Sequence, residues 1–464
     1  MALIKSISGI RGTIGGKENE ALTPMDIVKY TAAYASVLHR NAANSSNTIV
    51  IGRDGRISGE IVKNLAVATL QSMGLDVIDL GLSTTPTVEM AVKFKNALGG
   101  IILTASHNPK EWNALKLLNH EGEFISAELG AEILELANNG QLEYVDVNKL
   151  GTVLLDLTQG EAHIEAILQH PLVDVEAIKS KNFKVVVDAI NSTGAIYVPQ
   201  LLNALGVTQV HVINHEVNGR FAHNPEPLPE NLTELCATVT KQNAHLGIAV
   251  DPDVDRLCFV NEDGSLFGEE YTLVAVADYI LSHQQGNTVS NMSSTRALRD
   301  VTEKHGGIYY ASAVGEVNVV KKMKAVNAVI GGEGNGGIID PQLHYGRDAL
   351  VGIALFLTHL AKSGKSCSGL RKTYPEYYIS KNKIELNENI DVQHIFAEIQ
   401  KRYSKQPINT DDGLKIEFEK DWVHLRTSNT EPIIRIYSES NSVTTANNIA
   451  KKIISDINEI IKSN

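Results

Sequence analysis

Four short stretches of this chain set polar and ionisable residues at spacings that could do chemistry. The first is Thr104-Ala105-Ser106-His107-Asn108-Pro109, directly after the apolar run GGIILT. Ser106 is therefore expected at a strand end, where open α/β sheets place ligands. A serine hydroxyl is a weak nucleophile unless a base or strong electrostatics assist it, and His107 stands beside it. An ordinary Ser/Asn turn is the competing account. No G-x-S-x-G elbow is present, so acyl transfer is not the natural alternative.

The second stretch is Asp251-Pro252-Asp253-Val254-Asp255-Arg256, after LGIAV. In an extended segment alternate side chains share a face, so Asp251, Asp253 and Asp255 would converge on one hard cation. An oxygen-only set suits Mg²⁺. The spacing of an EF-hand is absent, and a solvated acidic turn is the competing account, against which stand the apolar flanks IAV and LCFV. The third stretch, Gly331-Gly332-Glu333-Gly334-Asn335-Gly336-Gly337, permits close backbone approach to a ligand, with Glu333 and Asn335 suited to sugar hydroxyls. It lacks the Lys-Ser/Thr of a Walker loop, and a flexible connection would read alike. The fourth runs from Arg426 through Thr427, Ser428, Asn429, Thr430 and Glu431 to Pro432, with Arg435 close behind. Its hydroxyls, amide and backbone N–H groups could line an anion nest, and its arginines could fork onto phosphate. A hairpin loop with incidental arginines would look similar.

Elements that must position these loops recur along the chain. A β-branched run, a polar loop, a helical-period segment and a Gly-capped end occur three times, with Gly74, Gly206 and the Gly306-Gly307 pair at equivalent breaks. Such units build parallel sheets with helices on both faces, and three copies predict three like α/β domains. From about Leu370 the pattern changes to a smaller α+β domain ending in the amphipathic SVTTANNIAKKIISDINEIIKS. The expected divisions are 1–150, 151–255, 256–370 and 371–464.

The 464 residues suit two to four domains, and 43% hydrophobic with 21% charged residues is a globular mixture. No apolar run is long enough to span a bilayer, and Met1–Gly16 lacks a signal-peptide layout, so a cytoplasmic location and no membrane partner are expected. A net charge of −12 argues against nucleic acid as a partner. Cys236, Cys258 and Cys367 form neither a CxxC pair nor an even set.

Taken in order, SGIRG at Ser8, TASHNP at Thr104, DPDVDR at Asp251, GGEGNGG at Gly331 and RTSNTEP at Arg426 resemble the α-D-phosphohexomutase family, which includes phosphoglucomutase, phosphomannomutase and phosphoglucosamine mutase. The resemblance covers essentially the whole chain. It implies four domains around a central cleft, three of like mixed α/β topology. It makes Ser106 a phosphoserine that passes phosphate between the 1- and 6-positions of a hexose through a 1,6-bisphosphate. Asp251, Asp253 and Asp255, with a phosphate oxygen on Ser106, would hold Mg²⁺. Arg11 and His107 would flank the phosphoserine, and Lys116 matches the candidate general acid/base. Arg256 would line the cleft, Glu333 and Asn335 would read hydroxyls, and Arg426, Ser428, Asn429, Thr430 and Arg435 would grip the other phosphate.

Three loops depart from the family's commoner wording: Pro252 for Gly, Asn335 and Gly337 for Ser and His, and Asn429 for Gly. The chain length and the tight SGIRGTIGG start lean the expectation toward phosphoglucosamine mutase, with phosphomannomutase/phosphoglucomutase as the alternative. A non-catalytic sugar-phosphate sensor and a phosphatase are the readings from other classes. A monomer or homodimer is expected.

Overall fold

The computed structural model describes residues 2–6, 9–41, 46–386, 390–427 and 433–463. Among these the chain forms four sheets. The first has seven strands in the order Leu3–Ser6, Gly9–Thr13, Trp112–Leu118, Gly99–Leu103, Thr48–Arg53, Asp76–Leu82 and Val153–Leu155. The second runs Leu257–Asn261, Leu246–Val250, Lys184–Asp188, Gln209–Ile213, and the third Tyr309–Ser312, Asn287–Asn291, Ala328–Glu333, Gly337–Ile339.

One four-strand unit is common to all three. Its first strand pairs in parallel with the second and the third, and the third turns back into an antiparallel fourth. The three-fold repeat expected from the sequence is present. The helices between first and second strands end at Gly74, Gly206 and Gly306, whose φ values of 80°, 81° and 74° are those a residue without Cβ adopts most readily.

The loop joining the third and fourth strands is where chemistry collects. In the first sheet it carries Ser106, in the second the three aspartates, and in the third Asn335, with Glu333 closing the third strand. The repeat thus brings equivalent loops of three sheets to one cleft. The sheets overrun two of the expected divisions. Val153–Leu155 pairs with the first sheet, past residue 150. Leu257–Asn261 pairs with Leu246–Val250, so residue 255 lies inside the second sheet's terminal hairpin. Composition marks turns well but does not reveal which sheet a short strand joins.

The second and third units share one apolar core. Helix Ala349–Ser363 runs through it, apolar on nearly every face and buried along most of its length, as a central helix must be. Phe356 stacks on Phe259 with ring centroids 3.7 Å apart. The fourth sheet is wholly antiparallel, in the order Tyr378–Glu385, Ile433–Ser440, Trp422–Thr427, Leu414–Glu417, Ile408–Asn409. Helices Val392–Arg402 and Val443–Ser463 accompany it, as the smaller α+β domain requires. It docks on the third unit through Glu439, whose Oε1 accepts from the Trp422 indole and the Arg296 backbone N–H. Among the described residues no helix is long and apolar enough to cross a membrane.

Candidate active site

Ser106 follows strand Gly99–Leu103 in a left-handed backbone conformation, φ 49°, rare for a residue with a Cβ. Its N–H donates to Thr104 Oγ1 at 2.9 Å. The loop is held from below by Arg56, a residue the sequence reading passed over. The Arg56 guanidinium is paired with Asp54 and donates to the carbonyls of Ser106, Asn108, Pro109 and Trp112. An arginine buried to 1% exposure is tolerable only because every face of the fork finds an acceptor. Its sequence signal was the three charges in GRDGR, unusual after an apolar strand.

The Ser106 hydroxyl donates to Asp251 Oδ2 at 2.7 Å. His107 Nδ1 is 3.5 Å away, at the limit of a hydrogen bond, so Asp251 and not His107 is the nearer base. Burial, with Arg256 and Arg11 nearby, pushes the His107 pKa well down and keeps the ring neutral. Arg11, on strand Gly9–Thr13, donates to Asn108 Oδ1 at 2.9 Å and so borders the same loop.

Asp251, Asp253 and Asp255 are completely buried and present carboxylate oxygens within 4.8 Å of one another. They converge, but not through the extended segment expected. The loop turns, and Val254 takes φ 62°, strained for a β-branched residue. Pro252 gives no donor but contributes its carbonyl, which accepts from Ser192 Oγ and Thr193 Oγ1. Asp251 Oδ1 accepts the N–H groups of Asp255 and Arg256, which closes the turn.

Each aspartate keeps one side in hand. Asp253 Oδ2 accepts from Thr85 Oγ1 at 2.6 Å and Lys116 Nζ at 2.7 Å, and Asp255 Oδ2 from Arg347 at 2.7 Å. Asp253 Oδ1 and Asp255 Oδ1 are buried without a hydrogen-bond partner. Two orphaned carboxylate oxygens beside Asp251 fit a divalent cation, since leaving them dry and unpaired is costly. The all-oxygen donor set is the kind Mg²⁺ takes. Burial and the two neighbouring carboxylates push the Asp251 pKa well up, the strain that a cation would relieve. Burial pulls Lys116 the other way, but Asp253 and Asp255 prevail and hold its pKa at about 12. As the triad stands, Lys116 is a fixed cation.

Arg347 is the second residue missed from sequence. It spans from Asp255 to Glu333 Oε2, each at 2.7 Å, and its Nε lies 3.1 Å from Glu316. One buried guanidinium thereby joins the acidic loop to the Gly-rich loop. Glu333 Oε1 accepts from Asn291 and the Gly315 N–H, and Oε2 from Arg347 and, at 3.5 Å, Asn335. The hydroxyl-reading role expected of Glu333 would have to displace the last and longest of these. Arg256 pairs with Glu226 at 3.0 Å on the cleft wall.

In the fourth sheet Arg426 and Arg435 are direct cross-strand partners in an antiparallel pair. Like charges opposite each other are unfavourable, and the Asp412 carboxylate lies 3.8 Å from the Arg426 Nε. Ser428, Asn429 and Thr430 lie outside the described residues. A cavity of about 1000 Å³ takes in Arg11, Ser106, His107 and Lys116 at one side and Arg426 and Arg435 at the other, with Arg256, Glu333 and Asn335 between.

Residues 3–143, 161–264 and 268–378 match the family Phosphoglucomutase/phosphomannomutase, alpha/beta/alpha domains I, II and III, and residues 383–455 match its C-terminal domain. A phosphoglucomutase/phosphomannomutase of Thermococcus kodakarensis is 38% identical over 93% of this chain and 94% of its own. A phosphoglucosamine/phosphogalactosamine mutase of Sulfurisphaera tokodaii is 32% identical over 98% of both. The crystal structure of a phosphoglucomutase/phosphomannomutase family protein from Burkholderia thailandensis superposes with a TM-score of 0.84 over 98% of this chain and 96% of that one, at 24% identity, and so shares the fold. With four domains matched in order around a cleft that holds a serine and a buried aspartate triad, the chain belongs to the α-D-phosphohexomutases, enzymes that move a phosphate within a sugar phosphate.

Proposed function

We propose that the chain interconverts hexose 1-phosphate and hexose 6-phosphate through a phosphorylated Ser106. One observation carries this reading: the Ser106 hydroxyl sits 2.7 Å from Asp251, beside two orphaned carboxylate oxygens, in a cleft that all four domains line. In the first half-reaction the bond between phosphorus and Ser106 Oγ breaks and the free hydroxyl of the hexose monophosphate takes the phosphoryl group. The hydroxyl's proton leaves to a base in the cleft. The 1,6-bisphosphate then presents its other phosphate: the bond between that phosphorus and the sugar oxygen breaks, the phosphoryl group passes to Ser106 Oγ, and the sugar oxygen takes up a proton.

Such transfers rest on positioning and charge stabilisation. Asp251, Asp253 and Asp255 would hold Mg²⁺, which supplies neutralisation of phosphate oxygens. Arg11 and Lys116 add positive charge on the Ser106 side. Arg426 and Arg435 suit the phosphate not in transfer, since both line the cleft and stand in register on adjacent strands.

For the sugar, a neutral hexose, glucose or mannose, is the first reading. Both oxygens of Glu333 are already engaged, which leaves no spare carboxylate on that side chain for an ammonium at C2. The relative at 38% identity carries the glucose/mannose name. Glu270 favours glucosamine as the second reading. It lines the cleft against Gly334, and burial holds its pKa well up, an environment that an amino group would relieve. Phosphorus NMR with Mg²⁺, a trace of hexose 1,6-bisphosphate and equal glucose, mannose and glucosamine 1-phosphates tests both. Faster appearance of glucose or mannose 6-phosphate is expected. Glucosamine 6-phosphate in the lead overturns the first sugar reading. Inorganic phosphate without any isomer overturns the mutase reading itself.

A further inference from the structure

Behind the aspartate triad lies a second cluster that the proposed reaction does not use. His163, on helix Gln159–Leu168, and His344 and Asp348, between strand Gly337–Ile339 and helix Ala349–Ser363, are all buried. Asp348 Oδ2 lies 2.9 Å from His163 Nε2 and 3.3 Å from His344 Nε2. Asp348 Oδ1 is occupied separately, capping its helix through the N–H groups of Leu350 and Val351. The outer nitrogens of both rings face oxygens on helix Thr85–Phe94. His163 Nδ1 is 3.0 Å from Thr87 Oγ1, and His344 Nδ1 is 3.4 Å from Glu89 Oε2. Three of the four domains meet here.

Glu89 is the unexplained member. It is fully buried, and neither of its oxygens has a hydrogen-bond partner. Dry carboxylates without partners are rare, because the desolvation cost is not returned. Two buried acids, Asp348 and Glu89, face two imidazoles. A divalent cation would balance both charges.

We propose that His163 Nε2, His344 Nε2 and Asp348 Oδ2 bind a divalent cation of the zinc class, with Glu89 and Thr87 as the outer partners of the two rings. Ligands about 2.0 Å from a tetrahedral ion lie about 3.3 Å from each other, close to the spacings found. Imidazole with carboxylate suits zinc, whereas the all-oxygen triad suits magnesium. Metal-bound histidines commonly give their other N–H to a carboxylate or hydroxyl; His163 has that arrangement with Thr87, and Glu89 stands 3.4 Å from His344 Nδ1, within reach of forming it. The ion would tie three domains together directly beside Arg347, at a distance from the reacting phosphate.

The test uses the full-length Asp253→Asn chain, in which the triad is weakened, loaded with Co²⁺ in the presence of excess Mg²⁺. The expected result is a single retained Co²⁺ with the intense visible absorbance of tetrahedral nitrogen and oxygen coordination. Adding Glu89→Gln should weaken Co²⁺ retention about 10- to 100-fold, and adding His344→Gln should abolish the band. Wild-type protein stripped with EDTA should regain thermal stability with Zn²⁺ but not with Mg²⁺. No retained Co²⁺, a band unmoved by Glu89→Gln, or no response to Zn²⁺ in the stripped wild type overturns the proposal and leaves a hydrogen-bonded brace with a protonated Glu89.

Discussion

The two ends of the cleft handle charge in opposite ways. On the serine side, Asp253 and Asp255 are met by Lys116 and Arg347 at 2.7 Å, and Arg347 also reaches Glu333. On the fourth domain, Arg426 and Arg435 face each other in register across two strands. The first region has largely satisfied its charges within the protein, apart from the orphaned oxygens aimed at a cation. The second sets like charges together, with the Asp412 carboxylate 3.8 Å from the Arg426 Nε. A reacting centre and a phosphate grip, the roles proposed for these two ends, would impose different demands on pairing.

The comparison can be broken first at the serine. Ser106→Ala removes the proposed phosphoryl acceptor while leaving every ion pair around it, so mutase turnover should fall by at least about 10⁴-fold with unfolding unchanged. Near-normal turnover in a coupled assay would rule out the phosphoserine. Next, Arg347→Met should cost about 3–5 kcal/mol in urea unfolding, because Asp255 and Glu333 would each lose a buried partner. A loss below about 1 kcal/mol would show that the serine side is not a closed network.

The third effect concerns how the fourth domain is held. His424 accepts from Ser293 Oγ at 2.9 Å and gives its Nε2–H to the Asp412 carbonyl, and burial lowers its pKa from 6.5 to about 4. Below pH 6.5 the unfolded chain takes up this proton first, so the stability that the neutral ring contributes is lost as pH falls from about 6.5 toward 4. Melting curves across that range should show His424→Gln with a shallower decline than the wild type, and an identical slope would remove His424 as the cause. The smallest effect should come from Arg426→Ala. Relief of a like-charge pair should leave stability within about 0.5 kcal/mol, while loss of charge-assisted contacts worth about 1.5–3 kcal/mol raises KM for the sugar phosphate about 10- to 100-fold. A stability loss as large as that of Arg347→Met would erase the contrast between the two ends.

Much of this was legible in the chain because it is written locally. TASHNP and DPDVDR each place their chemistry within six consecutive residues, and the three glycine-ended helices repeat a visible pattern. Arg56 and Arg347 escaped notice because their meaning is non-local. Arg56 closes a loop some fifty residues further on, and Arg347 pairs with a carboxylate 92 positions earlier. A lone arginine in a polar loop reads as solvent-facing until the fold shows what surrounds it. The turn at Val254 was hidden too, since nothing in a β-branched residue announces a positive φ. The engagement of Glu333 on both oxygens likewise depends on Asn291, Gly315 and Arg347, which only the third sheet brings together.

Arg56 has one further consequence. By gathering four carbonyls of the serine loop onto a single buried side chain, it ties the backbone from Ser106 to Trp112 to one point. A substitution that shifts any part of that loop shifts all of it, so few would be tolerated.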